Sequence, residues 1–201
     1  MQPAPYRYFI INKPVNMVSQ FVSTHEVGLL GDLDFDFPEG THAVGRLDSN
    51  SEGLLILTTN KKVTRLLFQG TKPHKRTYLV LVNHQVTPHN LERLRTGVEF
   101  KIQGGVPYKT APCEVDIEPN PEIQFESPFQ QSPRVTYTWL RISLTEGKFH
   151  QVRKMVAAIN HRVKRLVRVC IEDLRLGDLR PGGVKELEES EFFRLLKIDD
   201  Y

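Results

Sequence analysis

The apolar residues of this chain fall in short, strand-length runs, and that limits its possible folds more than any other feature. Tyr6 to Asn12 (YRYFIIN), Leu54 to Thr58 (LLILT) and Thr77 to Val82 (TYLVLV) are too brief for core helices and suit buried strands. Lys13-Pro14 stops the first run, because proline has no N–H to continue a ladder. Val98 to Ile102, Cys113 to Ile117 and Val135 to Leu144 read as strands of an antiparallel sheet, and Arg162 to Val169 returns to strand-like mixing of apolar and basic residues. Between Ile117 and Val135, EPNPEIQFESPFQQSP carries four prolines and reads as a surface loop or partly mobile arm. Ser19 to Gly40 has weak periodicity and reads as a loop or short hairpin.

Helical spacing is confined to a few segments. Thr59 or Asn60 can cap a helix from Lys61 that carries Val63, Leu66 and Leu67. Thr87-Pro88 supplies a cap and a first-turn proline, Leu91 and Leu94 face inward, and Gly97 closes that helix. Gln151 to Asn160 sets Val152, Met155, Val156 and Ile159 on one face, with Arg153 and Lys154 on its flanks. The tail from Lys185 ends in an apolar strand or helix. Strands outnumber helices, so the expected class is α+β with a mixed, mainly antiparallel sheet. A chain of 201 residues can form one domain or two small lobes.

Charge narrows the partner. Lys148 to Arg168 holds seven Lys or Arg and no acid, a local +7, while the rest of the chain sums to −4. Such a distribution fits an anionic polymer on one face, or an ordinary solvated face. Cys113 and Cys170 form no CxxC and have no His at metal-like spacing, so they are expected to be reduced, buried thiols. Asp32, Asp34 and Asp36 alternate like a calcium loop, but Gly and Glu stand at the wrong spacing, which favours a solvated edge and no metal. No window approaches a membrane span and the start lacks signal-peptide regions, so the expected location is the cytoplasm.

The stretch with most chemical content is Thr41 to Asn60 (THAVGRLDSNSEGLLILTTN). It sets Gly45-Arg46-Leu47-Asp48 four residues ahead of Gly53-Leu54-Leu55. A carboxylate on a tight loop beside a strand is either a solvated turn residue or a nucleophile. With Arg76-Thr77-Tyr78 opening a strand and Glu146 to Met155 (EGKFHQVRKM) behind it, the order and spacing resemble the pseudouridine synthases. Within them they are similar to the RsuA-like branch, which modifies ribosomal RNA and includes the RluB, RluE and RluF types. The resemblance covers nearly the whole chain and is weakest across Glu118 to Pro133. Most members of the branch carry an S4-type RNA-binding domain first; only five residues precede Tyr6 here, which resembles the compact RluE type acting on large-subunit ribosomal RNA.

The resemblance implies one catalytic domain over residues 1–201, in two lobes sharing one sheet around a catalytic cleft. It implies isomerisation of uridine to pseudouridine in ribosomal RNA, the 23S RNA foremost, by a monomer needing no cofactor, metal or membrane. The alternatives are 16S or transfer RNA as substrate. Asp48 matches the family's nucleophile, Arg153 its ion-pair partner, and Arg46 the arginine that holds the RNA open around the extruded base. Tyr78 matches the tyrosine at the target base, where it could stack or move a proton; core packing is the other reading of an aromatic in TYLVLV. Lys75, Arg76, Lys148, Lys154 and Arg165 extend the positive rim expected to meet phosphates. Leu174 matches the apolar wall around the base, with core packing as its alternative.

Two rivals come from other classes. Glu52, four residues after Asp48, could complete the carboxylate pair of a hydrolytic nucleosidase. A non-catalytic RNA-binding or ribosome-assembly factor on the same fold is the other.

Overall fold

A computed structural model describes residues 5–70, 72–123, 125–126, 129–199 and 201. The chain divides into two compact units, residues 1–74 with 168–201, and residues 75–167. The strands are β1 (Tyr8–Lys13), β2 (His42–Val44), β3 (Glu52–Thr58), β4 (Arg76–Asn83), β5 (Glu99–Lys101), β6 (Pro107–Lys109), β7 (Glu114–Ile117), β8 (Tyr137–Leu144), β9 (Val163–Ile171), β10 (Leu174–Arg175) and β11 (Val184–Leu187). The helices are α1 (Lys62–Phe68), α2 (Pro88–Thr96), α3 (Gln151–Ala158) and α4 (Glu189–Leu196). The class is α+β with mostly antiparallel pairing, as expected. Among the described residues no helix is long and apolar enough to cross a membrane.

In the first unit β1 lies between β11 and β3, antiparallel to both, with Ile11 opposite Val184 and Leu55. All of β1 and β3 is buried. Successive side chains of β1 point to opposite faces. Tyr8 stacks on Phe192 of α4 with ring centroids 4.6 Å apart, and Phe9 meets Phe35 and Phe37 at 5.5 and 5.7 Å. Each fully buried side chain of this size contributes about 1.5–3 kcal/mol. The acidic run is thereby explained: Leu33, Phe35 and Phe37 turn inward while Asp32, Asp34 and Asp36 stay largely in water. The first strand differs from expectation in running through Lys13, which is fully buried.

In the second unit β8 lies between β4 and β7, with Tyr78 opposite Ile142 and Val115 opposite the same residue. Val80 and Val82 of β4, Leu140 and Ile142 of β8, Leu91 and Leu94 of α2, and Val152, Met155 and Val156 of α3 form its core. The Thr87 hydroxyl accepts from Asn90 N–H at 3.2 Å with Pro88 in the first turn, as the sequence predicts. The hairpin β5–β6 was not anticipated beyond its first strand. The proline-rich segment is tied down at several points: Glu118 pairs with Arg141 at 2.8 Å, and Phe129 meets Tyr137 edge-on.

Candidate active site

The Asp48 loop belongs to the first unit and is built by backbone constraints. Gly45 (φ 73°) and Gly53 (φ 102°) both occupy the left-handed region that side chains avoid. A Cβ on Gly45 would meet the Phe68 ring at 2.8 Å, and one on Gly53 would lie 2.3 Å from the Arg168 carbonyl oxygen. The spacing of glycines around Arg46-Leu47-Asp48 is therefore steric necessity. Between them, Leu47 N–H donates to Ser19 Oγ, which donates back to the Leu47 carbonyl, both at 2.9 Å. Ser51 N–H closes the turn on the Asp48 carbonyl at 3.0 Å, and Asn16 N–H reaches Ser49 O at 2.7 Å. Asp48 is half-buried and Arg46 exposed.

Lys13 is the buried anchor under this loop. Its Nζ donates to the carbonyls of Pro14 and Met17, each at 2.7 Å, and lies 3.5 Å from Ser49 O. Burial pushes its ammonium down to about 8, against the attraction of Glu52 and Asp48; Arg168 pushes the same way as burial. Glu52 is itself only 5% exposed. It serves as counter-charge to a buried cation, a different task from the solvent-facing base of a hydrolase. The Arg168 Nε donates to Leu54 O at 2.8 Å. Lys13 was seen in the sequence only as a strand terminator; a lysine two residues after an apolar run and directly before proline was the signal that it could be drawn inside.

The remaining predicted residues, apart from Leu174, lie in the second unit. Tyr78 shares the face of β4 that bears Val80 and Val82, and packs, half-buried, against that core. Arg153 is half-buried on α3, flanked by inward-facing Val152 and Met155. Lys75 pairs with Glu114 at 3.2 Å, and Arg76 Nη1 sits 3.2 Å from where a Gly147 Cβ would be. Lys148 is exposed and Lys154 half-buried. Arg165 is 8% exposed, with its guanidinium 5.0 Å over the Phe125 ring. Leu174, in the first unit, is 2% exposed in β10, paired with Ile171. Cys113 and Cys170 are unpaired by any disulfide and half-buried rather than fully so; burial pushes the Cys113 thiol up to about 11. Among the described residues no cluster of three His, Cys, Asp or Glu could hold a metal ion.

The Glu146 to Met155 motif opens with a second structured loop, whose hydrogen-bond network the sequence did not indicate. Glu146 accepts from Tyr108 O–H, from Ala111 N–H at 3.2 Å and from Gln151 Nε2 at 2.5 Å. Gln151 in turn accepts from Lys148 N–H at 2.8 Å. The hydrogen bond to Glu146 pushes the Tyr108 hydroxyl up to about 12.

Comparison with known proteins places this arrangement. Residues 7–158 match the family described as RNA pseudouridylate synthase. The chain is 36% identical over 184 residues to the ribosomal large subunit pseudouridine synthase E of Vibrio parahaemolyticus, covering 90% of this chain and 74% of that protein. It is 35% identical to the synthase of the same name from Xanthomonas axonopodis, covering 86% of this chain and 89% of the relative. A crystal structure of a pseudouridylate synthase superposes with a TM-score of 0.76 at 25% identity, over 95% of this chain and 74% of that one. A matched stretch that includes the Asp48 loop, Tyr78 and Arg153, together with likeness along most of the chain, leads to one assignment: this protein belongs to the RNA pseudouridylate synthase family.

Proposed function

We propose that this enzyme isomerises uridine to pseudouridine in ribosomal RNA, and in the large-subunit 23S RNA in particular. The relatives named for the large subunit, at 36% and 35% identity, support that address. The reaction breaks the bond between ribose C1′ and uracil N1, turns the base in place, and joins C1′ to C5; N1 ends with a proton and C5 gives one up. Neither electrons nor an energy source are required.

Asp48 acts at the sugar, as nucleophile at C1′ or by assisting departure of the base. The single observation that carries this is the construction of its loop. Two glycines in the left-handed region, a serine bridge at Leu47 and a buried ammonium hold a half-buried carboxylate in one position. Arg153 pairs with Asp48 in the working enzyme, its guanidinium serving as counter-charge to the carboxylate. Tyr78 lies against the target base, its ring supported by the core of its own unit. Arg46, exposed, holds the opened strand. Flipping the uridine out costs a few kcal/mol, offset by phosphate contacts from Lys148 and Lys154.

The test is to map pseudouridines by chemical labelling and reverse-transcription stops in RNA from cells with and without the gene. Loss of one site in 23S RNA is expected. An unchanged ribosomal RNA profile would refute the assignment and direct attention to transfer RNA or to a non-catalytic role.

A further inference from the structure

Phe149 is 69% exposed, a large apolar ring standing in water on a loop that is otherwise firmly built. Lys148, Phe149 and His150 are presented by the Glu146 and Gln151 hydrogen bonds described above, and Lys154 N–H donates to the His150 carbonyl at 2.9 Å. His150 holds φ 55°, a left-handed conformation unfavourable for a residue with a Cβ, and stacks beneath Phe149 with centroids 3.8 Å apart and planes 18° from parallel. One face of the Phe149 ring is therefore backed by an imidazole. Cations flank it: Lys154 Nζ lies 5.8 Å from the Phe149 centroid and 5.6 Å from that of Phe100, and Lys148 Nζ is 5.1 Å from that of Tyr108. The nearest acid in sequence, Glu146, already accepts from Tyr108, Gln151 and Ala111.

We infer that Phe149 is a stacking platform for an unpaired base of the RNA, with Lys148 and Lys154 as the partners of its flanking phosphates. The Lys154 ammonium donates to the Lys101 carbonyl at 3.1 Å and keeps two further N–H groups, and Lys148 is exposed. A fixed aromatic face beside ammonium groups is the chemistry that binds single-stranded nucleic acid: the ring accepts any base, and the cations take the backbone. A protein partner of ordinary composition would need apolar surface around the ring, and here the ring is bordered by lysines. The inference rests on the RNA reading above and adds a contact in the second unit beyond Tyr78, Arg153 and the rim.

The full chain is titrated with a fluorescent single-stranded oligouridylate of about 12 nucleotides, a length within the usual range of such sites, and with a duplex of equal length. F149A is expected to raise the Kd for the single strand about 5- to 150-fold, the range that loss of one stacked base implies, and to change duplex binding much less. F149W should restore affinity, and its fluorescence, corrected for Trp139 with the wild-type chain, should be quenched on saturation. K148Q and K154Q should each lower the salt slope of log Kd by about one. Unchanged affinity in F149A, or unquenched F149W fluorescence, overturns the platform. So does a defect of F149A confined to assembled ribosomal subunits, which would identify a protein contact. Absence of pseudouridine when the wild-type chain meets 23S transcript would fault the functional reading alone, while the oligonucleotide titration still decides the platform.

Discussion

The Asp48 loop and the Glu146–His150 loop are both held in place, by opposite means. The first is fixed from beneath, by a buried ammonium, a serine bridge and glycines that tolerate no side chain; its anchors are out of reach of solvent. The second is fixed from its flank, by a carboxylate that gathers a phenol, an amide side chain and a backbone N–H, and it turns its largest side chain outward. A group that must sit at a set distance from a reacting carbon is best placed by a dry, strained backbone. A surface that must meet a flexible polymer needs only to be stiff and accessible.

The sharpest way to break the first loop is Gly53→Ala. The added Cβ meets the Arg168 backbone at 2.3 Å in a backbone conformation that only glycine adopts readily, and neither side can yield cheaply. A loss of at least about 3 kcal/mol in unfolding free energy, measured by denaturant titration, is expected. Lys13→Met comes next, leaving two buried carbonyls and Glu52 without their cation, at a cost of about 2–4 kcal/mol near neutral pH.

The pH dependence of the same pair sharpens the comparison. Lys13 has a folded pKa of about 8 against an ordinary value of 10.5, so between those values the unfolded chain binds more protons. The stability contributed by this group therefore rises with pH across that window. The gap between wild type and Lys13→Met should widen from pH 7.5 to pH 9.5, and a gap that narrows would contradict the buried-ammonium account.

Glu146→Gln probes the second loop and should cost about 1–2 kcal/mol, read as a lowered Tm, because its partners stay near solvent and can rehydrate. Smallest is Glu114→Gln, which removes a pair with Lys75 in which both side chains are well exposed; a change under about 1 kcal/mol is expected.

The sequence made the second unit's regular elements legible: the cap, proline and glycine of α2 sit where propensity puts them. It was weaker wherever tertiary context overrode local pattern. β2 and β6 are three residues each, too short for alternation to register. Lys13 reads as polar and ends up buried: its ammonium turns back onto the carbonyls of Pro14 and Met17 in the irregular segment that follows β1, with Ser49 O 3.5 Å away from a distant loop, and no strand or helix period signals that closure. Arg165 lies over Phe125, a partner forty residues away that no helical or strand period could indicate. The glycine spacing around Asp48 was legible as a motif; its steric reason required coordinates.

The account stands or falls on Asp48. Purified Asp48→Asn, incubated with 23S transcript and assayed by chemical labelling of pseudouridine alongside RNA affinity, should bind like the wild type and form no detectable pseudouridine. An unchanged pseudouridine yield from that variant would contradict the assignment of the carboxylate, and with it the reason for the loop that holds it.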